Sequence, residues 1–249
     1  MREKSKQMLQ KTRGIVLHAV RYGESSLIVH VYTEKFGRQS YMLKGVRKSR
    51  KQNRSNLLQP LFILDFEVYV KAQREVQLVK DISRPVPLNS IPYDHVLSTQ
   101  ALFMAEVLYR VLREEESNPM LYHFLVSSIE YLDSLEEPAP DFHILFLFHL
   151  SRHLGFYPVR NYSQDAPHFD LQKGSFVHLR KDDQLQLDRP VSQLFSAFLN
   201  LEYKDLHRTR FNRDQRGAVL RELMRFYRYH NEGMGEVRSV EVLEQLFGK

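Results

Sequence analysis

The period of the hydrophobic residues changes once along this 249-residue chain, and that change constrains the fold more than any other feature. Up to about residue 82, apolar side chains alternate with polar ones, as they do in strands that bury one face. Beyond the proline-containing segment 84–92, apolar residues recur every three or four positions, which is typical of amphipathic helices. The sequence therefore predicts a β domain over residues 1–83 and a helical domain over residues 84–249.

The β domain is predicted to contain five short strands. Alternation is clearest in the fourth, where Phe62, Leu64 and Phe66 share one face and Asp65 and Glu67 take the other. Five such strands favour a closed or partly closed barrel, because an open sheet would leave its edges unpaired. We therefore expect an oligonucleotide-binding (OB) type of barrel. The predicted strands are 14–20, 27–32, 39–45, 62–71 and 76–82.

Capping residues predict where the helices begin. Asp94 can cap a first helix, Asn118 followed by Pro119 a second, and Asp141 a third. The third is apolar on nearly every side, so we expect it to be the buried core helix. Further helices are predicted over 191–201, over 212–230 and from about 239, with an irregular insert at about 155–188. The expected fold class is α+β multidomain, with the barrel followed by an all-α C-terminal domain.

Positive charge is concentrated near the N-terminus. Residues 1–54 carry 14 Lys and Arg against three Glu, a net charge of +11, whereas the remainder of the chain carries −5. Such asymmetry is typical of a segment that contacts a polyanion, although a solvated basic surface is the alternative. The chain as a whole has a net charge of +6.

The loop at 44–54 has six cationic side chains and no acid. Phosphate recognition uses such donors, so we predict that this loop and neighbouring cations bind nucleic acid. Tyr22, Tyr32, Phe36 and Tyr41 could stack on bases, but Tyr32 and Tyr41 could equally pack inside the barrel. The candidate binding residues are Arg13, Arg21, Lys35, Arg38, Lys44, Arg47, Lys48, Arg50, Lys51 and Arg54.

A second basic cluster lies between Arg208 and Arg228. Arg221, Arg225 and Arg228 in this cluster follow helical spacing on one face. This face could bind a second polyanion or an acidic peptide, or it could be a solvated face paired with Glu222 and with the acidic run Glu114–Glu116.

No set of residues in the sequence predicts catalysis or metal binding. His149 and His153 have a metal-ligand spacing, but on an apolar helix they are better interpreted as packed histidines. The chain has no Cys and therefore no disulfide, thiol nucleophile or thiolate metal site. No nucleotide-binding loop or hydrolase motif is present, so we expect no catalytic residues and no small-molecule substrate. Neither a membrane span nor a secretory signal is predicted.

Several segments, taken in order, resemble the RecO family of bacterial recombination-repair mediators. They are Thr12–Leu17, Arg21–Ser26, Tyr32–Arg38, Lys44–Arg47, Leu57–Leu61 and Arg238–Leu243. The resemblance implies a non-enzymatic protein that binds single- and double-stranded DNA and anneals strands coated with single-strand-binding protein. With RecR, such proteins help to load the recombinase RecA. It also implies a cytoplasmic, nucleoid-associated protein, and we expect the acidic C-terminal tail of single-strand-binding protein to bind the helical domain.

Many members of that family carry a four-cysteine zinc site, and the corresponding region here is about 157–177. Because this region has no Cys, we expect no zinc and no other cofactor. Packing by Phe156, Tyr162, Phe169 and Phe176 is expected to hold the segment instead.

Two other functions remain open from the residues alone. A basic loop on an OB barrel would serve equally well in an RNA-binding protein of ribosome or tRNA maturation. A nuclease that uses histidines and carboxylates is the enzymatic alternative.

Overall fold

The computed structural model describes residues 8–46, 54–71, 74–84, 87–137, 139–179, 184–209 and 211–246. The chain divides into two compact units, Met1–Ser134 and Leu135–Lys249. Strands give way to helices after Ser83, inside the first unit. The predicted change of secondary structure is therefore confirmed, whereas a domain boundary between residues 83 and 84 stays a prediction.

The first unit is built on a barrel of five strands, and all five were predicted. They are β1 (Met8–Tyr22), β2 (Ser26–Thr33), β3 (Gly37–Leu43), β4 (Ile63–Val70) and β5 (Val76–Ser83). They hydrogen-bond in the order β1-β2-β3-β5-β4, and the long β1 closes the barrel by pairing with both β2 and β4. Neighbouring strands are antiparallel except β3 and β5, which form a short parallel seam from Ser40–Val76 to Met42–Leu78.

Alternating side chains fill this barrel, as the sequence predicts. Phe66 and Val68 of β4 are buried, and the ring of Phe66 lies 5.3 Å from that of Tyr41. Tyr41 is 1% exposed and Tyr32 is 2% exposed. Both therefore pack within the unit, which resolves the two interpretations of these tyrosines in favour of packing.

Two helices complete the first unit, α1 (His95–Val111) and α2 (Pro119–Asp133). Both predicted caps are confirmed. The carboxylate of Asp94 accepts from the amides of Val96 and Leu97, and the side chain of Asn118 accepts from the amide of Leu121. Such bonds satisfy amides that the first turn of a helix leaves without partners.

The turn between β2 and β3 is held closely against the segment that joins α1 to α2. The amide of Arg38 donates to the carbonyl of Glu114 at 2.9 Å, and the hydroxyl of Ser117 donates to the carbonyl of Glu34 at 2.7 Å. Gly37 lies in this contact with φ +59°, and a Cβ there would lie 2.6 Å from the carbonyl oxygen of Glu114. Only glycine fits this position without a shift of the backbone.

The second unit contains four α-helices, one 3₁₀ helix (Tyr203–Arg208) and one pair of short strands among its described residues. The α-helices and strands are α3 (Phe142–His153), β6 (His168–Asp170), β7 (Ser175–Val177), α4 (Arg189–Leu199), α5 (Arg213–His230) and α6 (Ser239–Leu246). Helix α3 is buried along most of its length and is the core helix, as predicted. The hydroxyl of Tyr227 on α5 donates to the carbonyl of Leu147 at 2.6 Å. The prediction that Asp141 caps α3 is wrong, because its side chain makes no capping bond. The carboxylate accepts from the hydroxyl of Thr209 instead.

The expectation of an all-α C-terminal domain is wrong in one place. The region 155–188, predicted to be irregular, contains the antiparallel pair β6–β7, which aligns Phe169 with Phe176. Each strand is three residues long. A period of two cannot be recognised over three residues, which is why the sequence pattern did not reveal the pair.

Aromatic rings and one amide side chain hold this region together. The ring of Phe176 lies 5.0 Å from that of Phe169 and 5.3 Å from that of Tyr162, and Phe156 lies 5.6 Å from Phe226. The predicted packing is therefore confirmed. The side chain of Asn161 adds two bonds, because its Nδ2 donates to the carbonyl of Phe176 and its Oδ1 accepts from the amide of Phe176, each at 2.9 Å.

No helix within the described ranges is both long enough and apolar enough to cross a membrane.

Candidate nucleic-acid interface

The centre of the predicted basic loop lies outside the described residues. This applies to Arg47, Lys48, Arg50 and Lys51. Arg54 begins a short 3₁₀ helix, Arg54–Leu57, but its side chain is also outside the described part. The loop leaves the barrel after β3 and returns before β4, so its two ends are positioned by the barrel.

Strand register divides the remaining barrel cations between two ends of the barrel. Arg21 pairs with Leu27 across β1 and β2, and Leu27 pairs with Leu43 across β2 and β3. Arg21 and Lys44 are therefore at the same end, from which the basic loop leaves, and both are exposed. Tyr22 beside them is 54% exposed, as a residue that stacks on a base must be.

The opposite end of the barrel carries Lys35 and Arg13 in a mixed-charge environment. Arg13 forms an ion pair with Asp65 at 3.0 Å, and this hydrogen bond raises the pKa of the guanidinium. The surrounding depression of about 500 Å³ is also lined by three more carboxylates, those of Glu34, Glu67 and Asp81. Lys11 and Lys80 both pair with Glu67, at 2.9 and 3.0 Å. The four carboxylates offset the positive charge of the cations at this end, so it attracts phosphates less than the end at Arg21.

Arg38 is placed inside the first unit. Its guanidinium donates to the carbonyls of Tyr109 and Leu112 at 2.6 Å each and lies 4.4 Å from the centre of the Tyr109 ring. These carbonyls belong to the last turn of α1, where a helix leaves its acceptors without partners. Burial lowers the pKa of Arg38. The structure thus gives Arg38 a role in joining β3 to α1, which its basic character alone does not reveal.

The three arginines of the α5 face differ in their surroundings. Arg225 forms an ion pair with Glu222 at 2.7 Å and donates to the carbonyl of Gln184, so the interpretation as a paired face is confirmed for this residue. Arg221 and Arg228 are exposed. The face is therefore not one uniform patch of cations.

Arg221 lines a pocket of about 330 Å³ in the second unit. Arg213 and Arg216, which belong to the same basic cluster of the sequence, also line it, as do the apolar side chains of Leu220 and Leu243. The pocket thus combines three guanidinium groups with the carboxylate of Asp214 and an apolar wall. Arg216 also lies 3.8 Å from the carboxylate of Asp141. Because Leu243 comes from α6, helical spacing along α5 alone could not predict the whole pocket.

His149 has the partners of a packed histidine. Its Nε2 lies 3.4 Å from the carbonyl oxygen of Leu201 and 3.7 Å from a carboxylate oxygen of Glu202, and burial lowers its pKa. Within the described ranges, no three His, Cys, Asp or Glu side chains are placed to hold a metal ion. The region 157–177 does not fit a four-thiolate zinc site, because the chain has no Cys.

Comparison with known proteins covers nearly the whole chain. Residues 8–84 match the model of the recombination protein O N-terminal family, and residues 93–235 match that of the C-terminal family. A protein named DNA repair protein RecO from Bacteroides fragilis is 35% identical over 96% of this chain and 100% of its own length. Proteins of the same name from Christiangramia forsetii and Porphyromonas gingivalis are 34% and 30% identical, over 97% and 96% of this chain and the full length of each relative. The chain with the five-stranded barrel, the basic loop and the helical second unit belongs to the RecO family.

Proposed function

We propose that this chain is a non-enzymatic mediator of DNA repair and recombination that binds single- and double-stranded DNA and anneals complementary strands. The observation that carries this proposal is membership of the RecO family over both family models, with relatives named DNA repair proteins. The closed five-stranded barrel is, in this proposal, of the OB type, and residues 1–83 form the nucleic-acid-binding domain.

The proposed DNA contact begins at the end of the barrel where Arg21 and Lys44 are exposed and continues along the loop 44–54. Lys35 and Arg13 are secondary contacts at the other end, and Arg38 is left out because α1 holds its guanidinium. Annealing makes no covalent bond. It requires that repulsion between two phosphate chains be screened while the bases find their register, and a cationic loop does this by displacing counterions.

Residues 84–249 are proposed to bind proteins, among them RecR, with which the chain would help to load recombinase. The acidic C-terminal tail of single-strand-binding protein is proposed to bind the pocket lined by Arg213, Arg216 and Arg221, where three guanidinium groups outnumber the one lining carboxylate, that of Asp214. Guanidinium groups bind carboxylates by charge-assisted hydrogen bonds, and Leu220 and Leu243 offer contact to an apolar side chain of the tail.

Titration of the full chain with the tail peptide tests this second site. Arg221→Glu is expected to weaken binding about tenfold or more, because it places a carboxylate against the acidic peptide. Arg228→Glu is the matched control, since it makes the same charge change at an exposed position of the same helix. Equal loss in both variants would remove the pocket from the proposal.

No cofactor is proposed, and the region 157–177 is proposed to be stable without zinc. Its rings and the two bonds of Asn161 are the contacts that support this. A metal chelator is expected to leave the unfolding temperature unchanged, and a fall would contradict the proposal. The proposed location is the bacterial cytoplasm in association with the nucleoid, and no small-molecule substrate is proposed.

The decisive experiment measures annealing of complementary DNA strands, with and without single-strand-binding protein, in the absence of ATP. We expect the chain to accelerate annealing in both conditions. A parallel competition between single-stranded DNA and RNA separates this function from RNA maturation, and strand length on a gel reveals any nuclease. Preference for RNA or metal-dependent shortening of the strands would overturn the proposal.

A further inference from the structure

A groove of about 690 Å³ opens beside α1 in the first unit. One wall follows directly after the basic loop and includes Asn56, Gln59 and Phe62, and the other is formed by residues 91–102. The described residues that line the groove include no Asp or Glu. In this respect it differs from the depression around Arg13, which has four carboxylates. A polyanion would meet no repulsion from the lining of this groove.

Tyr93 presents its ring at this groove from a fixed turn. The side chain is 81% exposed. Its backbone amide donates to the carbonyl of Ser90 at 3.0 Å. The carboxylate of Asp133 accepts from the amides of Asn89, Ser90 and Ile91 at 2.7 to 2.9 Å, which holds the turn against α2. A ring displayed on a rigid turn can bind a flat partner with little loss of conformational entropy.

One cationic side chain and several polar side chains line the same groove as this ring. The guanidinium of Arg84 lies 5.4 Å from the centre of the buried Phe62 ring. An arginine in this arrangement remains able to donate hydrogen bonds to a phosphate. Asn56 and Gln59 offer amides that can donate to and accept from the edge of a base. Leu102, an exposed apolar residue, lines the groove from α1.

We infer that this groove binds an unstacked base of single-stranded DNA, with Tyr93 stacked on the base and Arg84 near the adjoining phosphate. This inference rests on the proposed DNA binding. Six cations of the loop 44–54 precede Asn56 in the sequence, so the segment that carries them leads directly into one wall of the groove. In a duplex each base is already stacked and paired, so Tyr93 can reach no base face unless a base leaves the stack. The groove therefore favours single strands, whereas the loop serves both forms.

The test compares Tyr93→Ala with wild type for three labelled ligands of equal length: a single-stranded oligonucleotide, a duplex and an abasic single strand. We expect Tyr93→Ala to weaken binding of the single strand about five- to hundredfold, the range for loss of one stacking contact. Binding of the duplex and of the abasic strand is expected to stay within about twofold of wild type. Tyr93→Phe keeps the ring and is expected to bind as wild type does. Tyr229→Ala is the matched control, because it removes an exposed tyrosine of the second unit.

A second pair of variants places opposite charges on the wall of the groove. Leu102→Glu is expected to weaken binding of the single strand, and Leu102→Lys is expected to preserve or strengthen it. Wild-type affinity of Tyr93→Ala for the single strand would overturn the inference, as would an equal loss on the abasic strand. In either case the wild-type chain still binds DNA, so the proposed function stands. If wild type bound none of the three ligands, both the inference about the groove and the proposed function would be overturned.

Discussion

At the scale of single residues, Gly37 gives the sharpest stability prediction. Gly37→Ala would combine a positive φ with a Cβ that collides with the carbonyls of Glu114 and Glu116. We expect a loss of about 2–4 kcal/mol in the free energy of unfolding, from backbone strain and displacement of that segment together. Urea denaturation followed by circular dichroism measures the change.

Gly23→Ala is the control for this prediction. Gly23 has a similar φ of +62°, but a Cβ there would meet no atom within 4 Å. Gly23→Ala is expected to lower the free energy of unfolding by only about 1 kcal/mol, which is the strain of an alanine in the left-handed conformation. If the two variants lost equal stability, the collision with residues 114–116 would not be the cause.

His143 gives a pH-dependent stability. Burial, with a further contribution from the charge of Arg216, lowers its pKa to about 3. The unfolded chain therefore takes up the proton first as the pH falls below about 6.5, and the folded state loses stability. The stability that depends on neutral His143 is fully present above that pH. The free energy of unfolding is expected to fall by about 2 kcal/mol between about pH 7 and pH 5.

His143→Gln cannot take up this proton. Its free energy of unfolding is therefore expected to fall less than that of wild type between these two pH values. Phe146→Leu, a change at a buried neighbour on the same helix, is expected to lower stability by the same amount at both. An unchanged pH dependence in His143→Gln would show that other groups cause the loss.

At the scale of elements, the pair β6–β7 depends on the side chain of Asn161. Asn161→Ala removes both bonds to the backbone of Phe176. We expect a loss of about 1–2 kcal/mol, since each such bond contributes about 0.5–1.5 kcal/mol net. Protection of the Phe176 amide from hydrogen exchange should fall with it. His178→Ala, at an exposed residue just after β7, should change neither quantity.

The same region shows how far the sequence could predict elements. Strands β1 to β5 and the caps at Asp94 and Asn118 were predictable, because period and capping are local properties. Strands β6 and β7 were not, since three residues carry no recognisable period. Asn161 could not be identified as a structural residue either, because its partner Phe176 is brought close only by the fold.

Local pattern also explains what could be predicted of the candidate site. The basic loop was visible as composition, but the partners of Arg13 and Arg38 depend on distant elements. Nothing in the sequence identifies Tyr93 or Arg84 as a binding residue, because a tyrosine and a single arginine near prolines are common in loops. Only the groove beside α1 brings them together.

At the scale of the whole molecule, the uneven charge predicts a strong salt dependence of DNA affinity. If all six cations of the loop 44–54 contact phosphates, the logarithm of the affinity for single strands should fall with the logarithm of salt concentration with a slope of about −4. Replacing Arg47, Lys48, Arg50 and Lys51 by Gln should reduce the magnitude of that slope by about 3. Fluorescence anisotropy across a salt series gives both slopes.

A control for this prediction removes four positive charges elsewhere. Replacing Arg152, Lys173, Arg189 and Lys204, which are exposed residues of the second unit, by Gln changes the net charge equally. The slope should stay near that of wild type. If the magnitude of the slope fell equally in both quadruple variants, net charge and not the loop would determine the salt dependence of DNA affinity.

The parallel seam between β3 and β5 has a consequence for the order in which the barrel forms. Strands β1, β2 and β3 can pair with one another as consecutive hairpins. Residues 40–42 of β3 can pair with residues 76–78 of β5 only after that later segment has been synthesised. We therefore expect closure of the ring to be the last step in the formation of the barrel, and until then the edge of β3 is unpaired and can pair with other chains. Because the seam is only three residue pairs long, it should also be the first place where the native barrel opens. Seam amides should thus exchange with deuterium earlier than those shared by β1 and β2.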